Sequence, residues 1–212
     1  MLLIGMLDSP FVRRVAVSMR LLGMSYERHD WSVGRDSDRI RPYNPLGRVP
    51  VLVLDSGEIL IESGAILDHL DQEVGPNRAL LPVAGTPRRR ALQLMALAVG
   101  AAEKARDRIY EREFRPADKS HAPWAERLLG QMHGALAELE RRTAAAGSEH
   151  WLIDDRFSQA DITLTCCLSL ITDALPLELL PRYPALSEHY QRCEALPEFL
   201  ATKAGWFPPS TT

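Results

Sequence analysis

In the stretch "LDSPFVRRV", Ser9 and Pro10 stand directly before a run whose apolar positions, Val12, Val15, Ala16, Met19 and Leu22, recur at three- and four-residue spacing. Proline at a first helical position with serine before it marks a helix start. Ser9 therefore reads as an N-cap. Its hydroxyl has one donor and two acceptor positions, so it could accept from a helix amide while offering its proton to an anion. A second such place is "ESGAI", where Glu62 sets a carboxylate beside Ser63 at another expected helix start. Taken alone, these pairs also fit two ordinary caps, the second preceded by a strand-ending charge. A third feature is Val49-Pro50, where the proline opens a strand and does not interrupt one.

Other chemistries lack their residues. A serine-hydrolase elbow needs glycines where Leu7 and Phe11 flank Ser9. There is no GxGxxG or Walker loop, and the six histidines form no HExxH or other ligand pattern. Cys166, Cys167 and Cys193 have neither CxxC nor metal-ligand spacing, so they read as reduced core thiols and no metal is expected. A net charge of −3, with basic residues dispersed outside Arg88-Arg89-Arg90, lacks the footprint of a nucleic-acid binder. The longest nearly apolar run, Ala91 to Ala102, is well short of the ~20 residues of a membrane span. The apolar start is too short for a secretory signal, so a soluble cytoplasmic protein with no membrane or nucleic-acid partner is expected.

The elements that must position these residues follow from periodicity. Leu2 to Met6 suits a buried strand, the helix after Ser9 runs to Gly23, and Tyr26 to Trp31 suits a second strand. Strand, helix and strand in so short a span predict a right-handed crossover and a parallel pair. A polar stretch containing Arg35 to Arg41 precedes "NPLGRVPVLVLDSGEILIES". There Val51 to Leu54 and Ile59 to Ile61 flank Asp55-Ser56-Gly57 as a β-hairpin. A helix should begin near Ser63, carry Ile66, Leu67 and Leu70 on one face, and end at Gly75-Pro76.

Beyond a proline- and glycine-rich segment the strand signals stop. Arg88 to about Phe114 and Ala122 to about Ala146 are helical patterns expected to pack antiparallel. In "FSQADITLTCCLSLI", Ser158 and Asp161 resemble a capping box, Phe157 and Ile162 a hydrophobic staple, and the helix beyond should be buried. Pro181, Pro184 and Pro197 divide the rest into short helices before a Trp206-Phe207-Pro208-Pro209 tail. The expected organisation is residues 1–75 as an α/β unit of βαβββα type, 76–87 as a linker, and 88–212 as an all-α unit.

An α/β unit of this order joined to an all-helical one resembles the glutathione transferase fold, whose N-terminal half is thioredoxin-like, over essentially the whole chain. The patterns "SPFVRRV", "NPLGRVPVL", "ESGAI" and "FSQADI" carry the resemblance, in this order. The first two are similar to those of serine-dependent tau, zeta and omega-like members.

The resemblance implies glutathione as co-substrate, in a detoxification enzyme that joins its thiolate to small apolar electrophiles. A free cysteine thiol titrates near ~8.5, and lowering that by about two units takes ~2.7 kcal/mol of thiolate stabilisation. A hydroxyl donating to a charged acceptor contributes ~1.5 to 3 kcal/mol, and a helix N-terminus ~0.3 to 1, occasionally ~2. Ser9 at the start of its helix would supply both, with no general base. By the same resemblance Glu62 would pair with the γ-glutamyl ammonium, and Ser63, at a helix N-terminus, would bind the adjacent carboxylate. A cis Val49-Pro50 bond would expose the Val49 main chain to the glutathione cysteine, and Arg48 would meet the glycyl carboxylate. The electrophile site should lie between the two units. Its candidates are Phe11, Trp206, and Arg106 with Tyr110 on one helix face at i, i+4 spacing.

A homodimer is implied as well. Disulfide reduction is disfavoured, because Ser9 stands where cysteine-type members carry their thiol. Two other functions stay open: a glutathione-dependent isomerase of maleylacetoacetate type, with Arg13 or Arg106 for substrate carboxylates, and a non-catalytic binding module.

Overall fold

The computed structural model describes residues 1–175, 178 and 180–208. Three short strands at the N-terminus, β1 (Leu2–Ile4), β2 (Glu27–His29) and β3 (Val51–Val53), join β4 (Ile59–Ile61) in one sheet of order β2-β1-β3-β4. β1 and β2 are parallel, as a crossover through α1 (Pro10–Leu21) requires, and β3 pairs antiparallel with both β1 and β4. The hairpin turns at Asp55-Ser56-Gly57, with the Leu54 amide donating to Glu58 and the Gly57 amide to Leu54. β2 is an exposed edge strand and shorter than its sequence suggests. Trp31 leaves the strand to stack against His29, with ring centroids 4.8 Å apart. The polar stretch before the hairpin holds one helical turn, α2 (Ser37–Ile40), too short and too polar to show a period. α3 (Ser63–Val74) lays Ile66, Leu67 and Leu70 on the same core as Val12, Val15 and Met19 of α1.

The rest of the described chain is helical. α4 (Gly85–Glu113) starts one turn earlier than its apolar period, ahead of Pro87, because proline is tolerated in a first turn. α5 (Ala122–Ala146) packs on it antiparallel: Arg142 near the end of α5 donates to Gln93 near the start of α4. α6 (Gln159–Ala174) is central, with every residue from Gln159 to Ile171 buried. α7 (Pro184–Glu194) and α8 (Pro197–Leu200) each open on the proline expected to divide them. Pro209 of the aromatic tail lies outside the described residues.

The start of α6 is fixed by its own side chains. Ser158 accepts from the Ala160 amide, and Asp161 accepts from the Ser158 amide at 2.9 Å, from the Ser158 hydroxyl at 2.9 Å and from the Leu152 amide at 3.0 Å. Phe157 packs with Ile162 as the staple. This helix then grips α1: Gln159 donates to Ser18, Arg14 reaches Thr163, and Val17 meets Ile162.

One glycine governs how closely Val49-Pro50 can approach. Gly5, at φ +133, follows β1, and a Cβ there would lie 2.5 Å from a Val12 methyl and 2.8 Å from Val49 Cβ. The second atom is tied to backbone and cannot swing away. Gly5→Ala should cost about 2 kcal/mol or more by overpacking and backbone strain. Denaturant unfolding measures this, and an unchanged midpoint would show that the approach is not tight.

Candidate active site

α1 begins at the end of β1, so its N-terminus points out of the sheet toward the helical half. Ser9 occupies the N-cap position with extended backbone (φ −72, ψ 121). Its carbonyl accepts from Val12 and Arg13. The hydroxyl, however, makes no capping hydrogen bond, contrary to the expectation of a side-chain cap. Pro10 has no amide to satisfy, so the helix start is less dependent on that oxygen. The hydroxyl is thereby left uncommitted beside the N-terminal amides.

Ser9, Phe11, Arg48, Val49, Pro50, Glu62, Ser63, Arg106, Tyr110 and Trp206 all line one cavity of about 380 Å³ between the sheet end of the molecule and α4. The Val49-Pro50 bond is cis. Asn44 shapes the loop before it, donating to the Arg48 carbonyl at 2.9 Å and accepting from the Leu46 amide at 3.0 Å. Glu62, just before α3, has φ 65 and ψ 119, a conformation costing a non-glycine residue ~1–3 kcal/mol. Such strain concentrates where a side chain or amide must be aimed at a ligand.

Ser63 is 3% exposed and accepts from Arg14 Nη2 at 2.6 Å. A guanidinium has no acceptor, so the Ser63 hydroxyl keeps its proton for another partner, and both residues line the cavity. Arg14, 4% exposed, has no carboxylate within ion-pair distance among the described residues, and its Nε is buried without a partner. Burial pushes its pKa down, with nearby Glu62 among the groups opposing that shift. A buried, unpaired cation touching a serine at a helix N-terminus is a place for an anion.

Arg13 has the opposite fate. It is tied to Glu194 by two hydrogen bonds of 2.6 and 3.0 Å, donates to the Phe199 carbonyl at 3.1 Å, and is absent from the cavity wall. It is therefore not available for substrate carboxylates, because its charge is already satisfied on the far side of α1. Arg106 does reach the cavity, but Asp107 accepts from its Nε and Nη2 at 3.1 and 2.8 Å. Burial pushes the Tyr110 phenol up, so it remains a proton donor. The cysteines are remote and buried; burial pushes all three thiols up, Cys167 and Cys193 to about 12, so none is a thiolate at neutral pH. No cluster of three or more His, Cys, Asp and Glu among the described residues could hold a metal, and no described helix is long and apolar enough to cross a membrane.

Among the wall residues that escaped sequence reasoning are two that carry charge, Asp8 and Arg14. Asp8 accepts from the Phe207 amide at 3.2 Å, and with Arg35 over the Phe207 ring at 5.2 Å it holds the aromatic tail across the cavity. Burial pushes its carboxyl pKa up. Nothing local in the sequence marks it. Arg14 had a signal: two adjacent arginines within the buried stretch of an amphipathic helix need partners, and only one finds a carboxylate.

Two family models match the chain: Glutathione S-transferase, N-terminal domain, over residues 3–78, and Glutathione S-transferase, C-terminal domain, over residues 122–192. An uncharacterized GST-like protein, YibF, from Escherichia coli K12 is 31% identical, over 81% of this chain and 82% of its own. A maleylacetoacetate isomerase from Pseudomonas aeruginosa is 29% identical, over 71% and 72%. Among solved structures, a glutathione transferase family member from Pseudomonas fluorescens Pf-5 with bound glutathione superposes with a TM-score of 0.84 at 31% identity, covering 95% of this chain and 98% of that one.

Proposed function

The chain belongs to the glutathione S-transferase family, and from that premise we propose that Ser9 holds the thiolate of bound glutathione for attack on small apolar electrophiles. The observation that carries this serine-type reading is the free Ser9 hydroxyl at the N-terminus of α1, opening on the same cavity as Arg14, Glu62 and Ser63. The γ-glutamyl end of glutathione carries an ammonium and a carboxylate. Glu62 supplies the negative charge for the first, and the Ser63 hydroxyl, backed by Arg14, binds the second. Val49 offers its main chain to the cysteine residue, and Arg48 meets the glycyl carboxylate.

With the tripeptide held at both ends, its sulfur lies against Ser9. The thiol proton leaves to solvent, and the Ser9 proton and the helix N-terminus stabilise the remaining charge. The sulfur lone pair then forms the carbon–sulfur bond. In a displacement the leaving group departs with its bonding electrons; in an addition the adjacent carbon takes a proton. Phe11, Tyr110 and Trp206 supply the apolar wall for the electrophile, with Arg106 held at its edge by Asp107.

This reading assigns residues 1–75 to glutathione, 76–87 to the linker, and 88–212 to the electrophile side. It places a homodimer in the cytoplasm, in a detoxification role. Isomerisation of an unsaturated diacid, the activity named for the Pseudomonas aeruginosa relative, is less well supported. It needs free cations for two substrate carboxylates, and Arg13 and Arg106 are both engaged with carboxylates of the chain.

Calorimetric titration with glutathione tests the binding half of the proposal. Glu62→Ala and Ser63→Ala should each raise the dissociation constant roughly ten- to a hundredfold, the value of one charge-assisted hydrogen bond of ~1.5–3 kcal/mol. Unaltered affinity in both would move the site elsewhere.

A further inference from the structure

The electrophile cavity does not end at Tyr110. Asp107, Tyr110 and Phe114 line both it and a neighbouring groove of about 420 Å³, which is completed by Pro116 and by Trp124 in the first turn of α5. Arg106 and Tyr110 on α4 and Phe114 at its C-cap recur every four residues, so they form one stripe about 12 Å long from the cavity into the groove. Two large aromatic residues stand open there, Phe114 at 51% and Trp124 at 44% exposure. Tyr110 and Phe114 already meet edge to face, with centroids 5.1 Å apart at 78°.

The charges that line the groove, Asp107, Glu111 and Arg115, are paired off. Arg106 is held by Asp107 at its inner end, and Arg115 bonds Glu111 at 2.6 Å on its outer rim. A surface whose charges are cancelled and whose open side chains are aromatic favours a neutral, flat ligand over an ion. The cavity itself, at about 380 Å³, is near the small end of the ~300–1,000 Å³ of ligand pockets, and it must hold a tripeptide and the reacting ring together.

We propose that the groove at the α4–α5 connection is a distal aromatic subsite, taking the outer ring of a neutral two-ring electrophile whose inner, reacting ring lies beside Tyr110. This rests on the reading of the main cavity as the glutathione and electrophile site. The outer ring stacks on Trp124 and Phe114, and the linkage between the rings runs along the α4 stripe.

Binding of product analogues to the full-length chain tests this without depending on turnover. Glutathione, S-benzylglutathione and S-(para-benzylbenzyl)glutathione are titrated into wild type and Trp124→Ala, and the oligomeric mass of both proteins is measured. Wild type should bind the two-ring conjugate roughly tenfold tighter than the one-ring conjugate. Trp124→Ala should erase that advantage while leaving the affinities for glutathione and S-benzylglutathione within about twofold of wild type. The proposal is overturned if the second ring brings no gain, if its gain survives in Trp124→Ala, or if Trp124→Ala changes the oligomeric mass without touching the ring preference, since the groove would then be covered by a second copy. Failure of wild type to bind glutathione at all would sink the underlying reading and this one with it. Glutathione binding without a two-ring preference sinks this one alone.

Discussion

Ser9→Ala is expected to fold normally, bind glutathione about fourfold more weakly at neutral pH, as linkage to the lowered thiol pKa requires, and lose about two orders of magnitude in kcat/KM. The size follows from one hydroxyl donated to a charged sulfur, ~1.5–3 kcal/mol, or roughly 10- to 150-fold in rate. Stability should change little, by less than the ~1 kcal/mol usual for a lost cap, because the Ser9 side chain makes no capping hydrogen bond. Ser9→Thr keeps the hydroxyl and should retain most of the activity. The sign of the pH dependence is fixed by the chemistry. A depressed thiol pKa helps only where free glutathione is still protonated, so the deficit of Ser9→Ala should shrink as pH rises through ~8.5. Activity measured against pH for the two variants checks this; a deficit that is constant with pH would assign Ser9 some role other than holding a thiolate.

The second large effect concerns stability. Glu194→Ala should destabilise the fold by about 3–5 kcal/mol, because it leaves the Arg13 guanidinium buried without its counter-ion. For a chain of this length that is a fall of roughly 6–20 °C in Tm. The pair fastens α1 to the end of α7, and Arg13 also holds the Phe199 carbonyl of α8. The helix that carries Ser9 is thus anchored on the face away from the cavity. Removing both charges with apolar side chains, Arg13→Met with Glu194→Leu, should recover much of the loss, since the desolvation of both ions disappears with them. Thermal or denaturant unfolding of the single and double variants measures both. A loss below about 1 kcal/mol in Glu194→Ala would mean that water reaches the pair.

What could be read from the chain beforehand divides along a physical line. The β1-α1-β2 crossover, the hairpin at Asp55-Ser56-Gly57 and the start of α6 are local, so periodicity and turn or cap residues suffice to find them. The one-turn α2 escaped because four residues, only Ile40 of them apolar, cannot express a period. The residues gathered at the cavity were legible through the patterns around Ser9, Val49-Pro50 and Glu62-Ser63, yet the bonds they make were not. Arg13 finds its partner 181 positions away and Arg14 finds Ser63 at 49, distances over which sequence spacing carries no geometric information. Adjacent in sequence, the two arginines could not be told apart, and only packing decides that one fastens the scaffold while the other faces the cavity. The uncommitted Ser9 hydroxyl and the positive φ of Glu62 belong to the same kind, being set by how β1, α1 and α3 converge.

The central claim is that Ser9 holds glutathione as its thiolate, and titrating the thiol of enzyme-bound glutathione by its ultraviolet absorbance tests it most directly. In wild type the bound thiol should ionise about two units below the ~8.5 of a free cysteine thiol. In Ser9→Ala, at saturating glutathione, it should return most of the way to the free value. The same depressed value in both proteins would contradict the account and shift the stabilisation to other groups of the cavity.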